Sequence, residues 1–571
     1  MIFSRRHIIG LVIGIIMSIV NCQLSTAQEL VYLEHSETLS FDKERLPDAQ
    51  ILKGDVRFRH DDMLMYCDSA YFYEKSNSLD AFGHVRFEQG DTLSGFGDVL
   101  YYDGNTKYAR LRRNVRLIHR NTVLTTDRVD YDRKAERAFY DDWGQIEDSL
   151  NTLTSVWGLY IPPHSQAVFR DKVHLINTNF ILDTDSLRYN TKSHIADIVR
   201  PTTIVYEEET TILSDSGTYN TETEQSLLYK RSRILHTDGK QLTGDTIYYA
   251  KRVGYGRVRG HMEMRDTVQQ TSLYGNYGEV FNDGDSGYAT DSALLVDWSN
   301  DTSYTYMHAD TLFSELQAYV AITVLPIDST IGRMAPDTLR RDSTYRQLRA
   351  FHNVRIYNKE YQTVSDSAVY NGLDSIITLY HDPVLWSDKQ QVSADVIHIY
   401  IRNELADYAH GVGNAIAIKH EARDMFDQMQ GKEMFAYIRD GEIRQVDVSG
   451  NAETIFYPRE EDGTFTGVNK TQSSLVKLYL KDQKIERIVF TTTTNGTMYP
   501  LDQIKDTDRF LNAFFWAKKE RPRDPMDVFR HAERTPRPKE KAVSAVVEEE
   551  LDATENPRKQ KEQRNKKRID K

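Results

Sequence analysis

A phrase of about thirty residues restarts again and again along this 571-residue chain, and that repetition limits the fold more than any other feature. It is first complete as GDVRFRHDDMLMYCDSAYFYEKSNSLDAFG, from Gly54 to Gly83. It returns at once as GHVRFEQGDTLSGFGDVLYYDGNTKYARL and then as RNVRLIHRNTVLTTDRVDYDRKAERAFY. One Asp marks each copy: Asp68, Asp98, Asp127, Asp185, Asp215, Asp245, Asp366 and Asp395. Within these groups the steps are 29 or 30 residues, and the 58 residues from Asp127 to Asp185 make two steps, with a marker missing near Trp157. Fixed spacing of this size means one supersecondary unit stacked repeatedly.

Side-chain period identifies the unit. In DVRF, HVRF, NVRL and KVHL the apolar residues fall two apart, the pattern of a half-buried strand. The second half of each copy, as in SAYFY, VLYYD, SLRYN and TIYYA, is rich in Tyr and β-branched residues and ends at turn-forming residues. The expected class is therefore all-β, with two to three short strands per unit.

The ends of the chain read differently. Arg5 and Arg6 precede an apolar run from Ile8 to Val20, followed by Ser25-Thr26-Ala27, so residues 1–27 are expected to be a cleavable export signal. Lipidation at Cys22 is the rival reading. Export leaves Cys67 as the one thiol, with no internal disulfide, and its setting in MLMYCDS suits a small buried apolar side chain. The expected organisation is a first array over 28–312, a loop or excursion over 313–349 and a second array over 350–500. A short amphipathic helix is expected over 501–520, from the spacing of Leu501, Ile504, Leu511, Phe514 and Phe515. A disordered charged tail is expected over 521–571.

The chain has no HExxH, no Gly-rich phosphate loop and no G-x-S-x-G, and its 17 histidines are scattered without ligand spacing. Each unit offers one Asp beside Ser or Thr, fewer oxygens than a calcium site needs, so the Asp column is expected to fix turns through local hydrogen bonds. No metal or other cofactor is expected, and a formal charge of −13 gives no reason to expect a nucleic-acid partner.

The repeated G-x-V-R-F and D-S-A-x-Y phrases, with DPVLWSDKQQVSADVI, resemble the OstA-like family, relatives of the periplasmic lipopolysaccharide-transport protein LptA and of the N-terminal part of its outer-membrane partner LptD. The resemblance implies a repetitive open β-jellyroll, a folded-over sheet whose inner face holds acyl chains. It also implies a non-catalytic periplasmic bridge that takes part in lipopolysaccharide transport to the outer membrane. The implied partners are lipopolysaccharide or a related glycolipid and other jellyroll proteins joined by edge-strand addition, an LptD-like outer-membrane protein among them. On this reading Val56, Phe58, Val85, Phe87, Val115, Leu117, Val173, Leu175, Val354 and Ile356 line the groove, where each buried methylene contributes about 0.8 kcal/mol. Two alternatives share the repeat: an exported parallel β-helix polysaccharide lyase or hydrolase, and an extended surface scaffold or adhesin.

Overall fold

The computed structural model describes residues 30–538, apart from 283–284, 326–336, 403–404, 440–441, 461, 482–483 and 506–507. The expected export signal, Cys22 and the tail beyond 538 lie outside the described residues. The chain divides into two compact units, Met1–Glu222 and Thr223–Lys571. Both are all-β, as the alternation requires.

In the first unit the long strands Gln50–His60, Met63–Tyr73, Ser78–Gln89, Leu93–Asp103, Tyr108–His119 and Thr122–Asp132 pair in sequence, each antiparallel to the next. Every one of these pairings slips register once, at one level: between Lys53 and Val56, Tyr66 and Ser69, Phe82 and Val85, Phe96 and Val99, Arg112 and Val115. At that level alternate strands carry two successive residues with positive φ: Gly54/Asp55, Gly83/His84, Arg113/Asn114 and Asp171/Lys172. A left-handed pair of this kind is a bulge that bends its strand, and repeated in register it folds the whole sheet over along one line.

The Asp markers sit on that line, one strand away from each left-handed pair. His84 Nδ1 lies 2.7 Å from the Asp68 carboxylate, and Asn114 Nδ2 donates to Asp98 at 2.7 Å. A methyl group at Gly83, where φ is 76°, would run into the Asp68 carboxylate. The Asp column therefore fixes the corner of the fold, a more specific task than the turn-fixing the sequence suggested.

The corner divides the strands into two facing walls. One carries a cross-strand row in which tyrosine alternates with alanine: Tyr102, Ala109, Tyr131, Ala138, Tyr160, Ala167. Small residues between the rings leave room for each ring to lean towards the opposite wall. There Phe58 meets Phe72 at 5.4 Å between centroids, and Phe87 lies parallel to Tyr131 at 6.2 Å. All the strand pairings described are antiparallel, which excludes the parallel β-helix of the enzymatic alternative.

The second unit repeats the corner at Lys230/Arg231, Gly260/His261, Asp291/Ser292, His352/Asn353 and Gly413/Asn414. Again the markers face it, with His261 Nδ1 2.6 Å from Asp245 and Asn414 Nδ2 donating to Asp395 at 3.3 Å.

Three expectations are corrected in this unit. Within the stretch 313–349 the described residues are not loop but part of an antiparallel ribbon, Thr305–Leu325 with Asp337–Phe351, paired from Thr311↔Phe351 to Leu325↔Asp337. Arg340, Arg341 and Asp342 of the ribbon are exposed, and polar residues of this kind read as loop. The described residues of 501–520 form turns and irregular segments rather than the expected amphipathic helix. Their main-chain groups are taken by glutamine side chains of the sheet: Gln391 Nε2 donates to the Phe515 carbonyl at 2.8 Å while its Oε1 accepts from Ala517 N at 2.8 Å. Gln428 does the same with Arg509 and Leu511. Finally, residues 521–538 of the expected disordered tail are held in place, Arg521 donating to Gln362 Oε1 and the Asp388 carbonyl at 2.6 Å each.

Residues 501–538 thus form a strap, and register shows which face it covers. A methyl group on Gly256 of one wall would touch Leu242 of the other, so Leu242 points inward. Direct cross-strand pairs carry that inward row through Met264, Leu273, Leu295 and Met307 to Ile356. Arg355, Val364, Val384 and Trp386 therefore point outward, and it is there that Phe515 and Ala517 pack. The corresponding outward positions of the first unit, Arg57, Arg59 and Arg86, are exposed.

Candidate functional site

The ten groove candidates all point between the walls, and all are buried, at 0–7% exposure. Val56, Phe58, Val85, Phe87, Val115 and Leu117 share one apolar cluster with Tyr102 and Tyr131. Val173 and Leu175 lie further along the first unit, and Val354 and Ile356 lie in the second. Side chains from both walls fill the space at these positions, so a guest could reach them only if the walls parted.

The lips of the first unit are fastened. His60 Nδ1 and the Tyr102 hydroxyl share a hydrogen bond of 2.6 Å, Tyr131 donates to Gln89 Oε1 at 3.0 Å, and Tyr160 meets His119 Nδ1 at 3.4 Å. Each joins one wall to the other across 41 or 42 residues. Ion pairs reinforce the first rung: Lys107 with Asp61 at 2.8 Å and buried Arg133 with Asp62 at 2.7 Å. Arg133 also donates to the Tyr102 hydroxyl at 2.9 Å. The recurring tyrosines were visible in the sequence as strand markers; the fastening depends on residues some forty positions away and was not.

The second unit is different. A methyl group on Gly431 would meet Val448 of the facing wall, so the row Leu379, Ile397, Met434, Val448 and Val476 points inward and is buried. Two residues closer to the lip runs a parallel aliphatic row, Ile377–Ile399–Ala409–Ala436–Val446–Leu478–Ile488. All of it except Val446 is only half-buried. Sequence reasoning missed this row; its signal was the alternation in VIHIYIR, EMFAYIR, LVKLYLK and KIERIVF.

The opposing lip is polar. Gln390, Lys419 and Asp427 occupy successive inward positions on neighbouring strands. Lys419 pairs with Glu421 at 2.7 Å, and Arg459 pairs with the same carboxylate. Burial, with Glu421 beside it, pushes the Asp427 carboxyl up to about 7, although Tyr457 N donates to it at 2.9 Å. Aliphatic on one side and hydrogen-bonding on the other, this mouth suits an amphiphile better than a wholly apolar or wholly polar guest.

Both ends of the sheet path are edges. Tyr32–His35 and Thr38–Phe41 pair only with Gln50–His60 among the described residues, leaving Tyr32 57% and Phe41 65% exposed. Among the described residues, Lys484–Thr491 and Asn495–Tyr499 pair only with Val468–Lys481.

Cys67 is buried, and desolvation pushes its thiol up to about 12, which makes it a poor nucleophile at neutral pH. Among the described residues no group of three or more His, Cys, Asp or Glu side chains is arranged to hold a metal ion, and no helix is long and apolar enough to cross a membrane.

Comparison with known proteins adds one finding. The family model described as OstA-like protein matches residues 28–185 and 175–245. No curated protein matches the chain.

Proposed function

We propose, from the premise that residues 28–245 belong to the OstA-like family, that the chain is a non-catalytic periplasmic protein of the lipopolysaccharide-transport type. That role is the one the family implies. The finer reading is that it holds a glycolipid's acyl chain against the aliphatic row of the second unit, with the polar part of the guest at the Gln390–Lys419 lip. The observation that carries it is the half-buried row from Ile377 to Ile488, an apolar strip on the inner face of a folded-over sheet. Several methylenes at about 0.8 kcal/mol each would hold a chain there without covalent chemistry. The exposed terminal strands suit strand addition by neighbouring jellyroll proteins, an LptD-like partner among them.

The test is photo-crosslinking in cells from a photoreactive residue placed at Ile399 or Leu478, with Phe58 as the comparison. Capture of a lipopolysaccharide-type glycolipid at the first two positions is the expected result. Crosslinks to protein alone at all three would overturn the lipid-carrying reading.

A second reading has its own observation. The first unit is packed between its walls and fastened along its lips, as a rigid spacer would be, so that unit serves as a structural strut of the bridge.

A further inference from the structure

On the outer face of the second unit, where the strap turns back over the sheet, lies a cavity of about 40 Å³, lined among others by His308, Arg355, Glu520, Phe529, His531 and Arg534. Space of this size holds roughly three water molecules or one small oxyanion.

Its floor is a buried arginine. Arg355 is 7% exposed and stands on the outward side of Val354–Tyr357, beside His308 on the neighbouring strand. Its Nη2 donates to the Glu520 carbonyl at 3.0 Å, but its Nε is buried with no acceptor. The carboxylates within reach serve other groups. Asp527 is held by both Nε and Nη2 of Arg530, at 2.6 and 3.0 Å. Glu520 accepts from Thr535 N at 2.7 Å and faces Arg537 at 3.8 Å.

Burial first, and then the nearby Arg530, push Arg355 down to about 10; Asp527 and Glu520 act the other way, and Arg534 adds to the lowering. A guanidinium taken out of water is unfavourable; Asp527 and Glu520 offset this only in part, and an oxyanion in the cavity would complete the compensation. Side chains able to donate converge from two directions: Arg355 from the sheet, His531 and Arg534 from the strap. His308 Nδ1 is engaged with the Ala293 carbonyl at 2.7 Å, which fixes the ring against Phe529.

We propose that this cavity is a binding site for a phosphate group, with the Arg355 guanidinium at its floor and Arg534 and His531 closing it from the strap. The ligand is a phosphate dianion or monoester, and binding it ties the strap to the sheet. The site lies on the face opposite the aliphatic row, so it stands or falls independently of the lipid-carrying reading.

The experiment is calorimetric titration and thermal melting of the full chain with inorganic phosphate, with glycerol 1-phosphate, and with sodium chloride at matched ionic strength. Saturable binding and a raised melting temperature with phosphate but not chloride are expected. Arg534→Ala, an exposed position, should weaken affinity several-fold, and Arg355→Gln should weaken it tenfold or more. Tighter binding of glycerol 1-phosphate than of phosphate would assign the site to an esterified phosphate such as a lipid headgroup, and the reverse order to the free ion. No phosphate effect beyond that of chloride on the folded wild-type chain would overturn the proposal. So would unchanged phosphate affinity in Arg534→Ala together with a folded Arg355→Gln; should Arg355→Gln fail to fold, Arg534→Ala and His531→Ala carry the test.

Discussion

The Tyr102 hydroxyl lies 2.6 Å from His60 Nδ1 and 2.9 Å from an Arg133 guanidinium nitrogen, so one phenol bridges two walls of a sheet and a charged turn. Because Arg133 donates to the phenolic oxygen, the hydroxyl proton is available to the imidazole nitrogen. Tyr102→Phe should therefore leave two buried polar groups short of a partner and destabilise the fold by about 1–3 kcal/mol. Tyr131→Phe, whose partner Gln89 is only half-buried, should cost about 1 kcal/mol or less. Urea denaturation compares them; equal losses for the two variants would contradict this ranking of the rungs.

The corner makes a sharper demand. At Gly83 a side chain meets both a φ of 76° and the Asp68 carboxylate, so Gly83→Ala should destabilise by about 1–3 kcal/mol. Adding Asp68→Ala removes the collision but not the backbone strain, and a double-mutant cycle should recover part of the loss. Simple additivity of the two changes would separate the glycine from its Asp.

Asp427 gives the second unit a dependence on pH. Its folded value of about 7 stands above the ordinary carboxyl value of 3.8, so between those limits the folded chain binds a proton that the unfolded chain has released. Stability from this group is full below about pH 4, falls as pH rises towards 7, and levels off above it. Asp427→Asn keeps an acceptor for Tyr457 N and should be more stable than the wild type at pH 8, by about 1–3 kcal/mol, with the difference gone by pH 4. Denaturation curves at the two pH values read it directly.

Strap attachment rests on side-chain amides that copy a strand's hydrogen bonding. Gln391→Ala and Gln428→Ala each remove a donor and an acceptor from a buried main chain, and should expose residues 501–538 to protease while the corner repeats stay resistant. Cleavage sites mapped by mass spectrometry distinguish this from general unfolding, which would open the first unit as well.

Cys67 reports on that unit without a substitution. With its thiol pushed up to about 12 and its side chain buried, it should react with a thiol reagent at pH 8 only as fast as the first unit opens. Labelling that outpaces unfolding would place Cys67 in a locally mobile region.

How much of this was legible in the chain follows from the range of the interactions. The ~30-residue unit and its inward residues, Val56 and Phe58 through Val354 and Ile356, are written in local alternation, which survives in any single sequence. Asp68 was conspicuous as a marker, but its partner His84 lies on the next strand, and only the register of the pairing joins them. The strap failed to read correctly for a related reason. Leu501, Ile504, Leu511, Phe514 and Phe515 have helical spacing, yet the acceptors and donors that fix their backbone are glutamines about eighty and more residues upstream. The ribbon within 313–349 was hidden by composition, since polar residues mark a two-stranded ribbon as readily as a loop.

The strap also sets an order of events. Trp386, Ile416 and Ile418 present an apolar outer surface whose cover is Phe515 and Ala517, about a hundred residues later in the chain. During synthesis from the N-terminus, that surface stays bare until the strap emerges. A chain truncated or stalled before the strap would display a sticky flank at the point where its sheet otherwise looks finished, so the strap acts as a certificate of completion for the second unit.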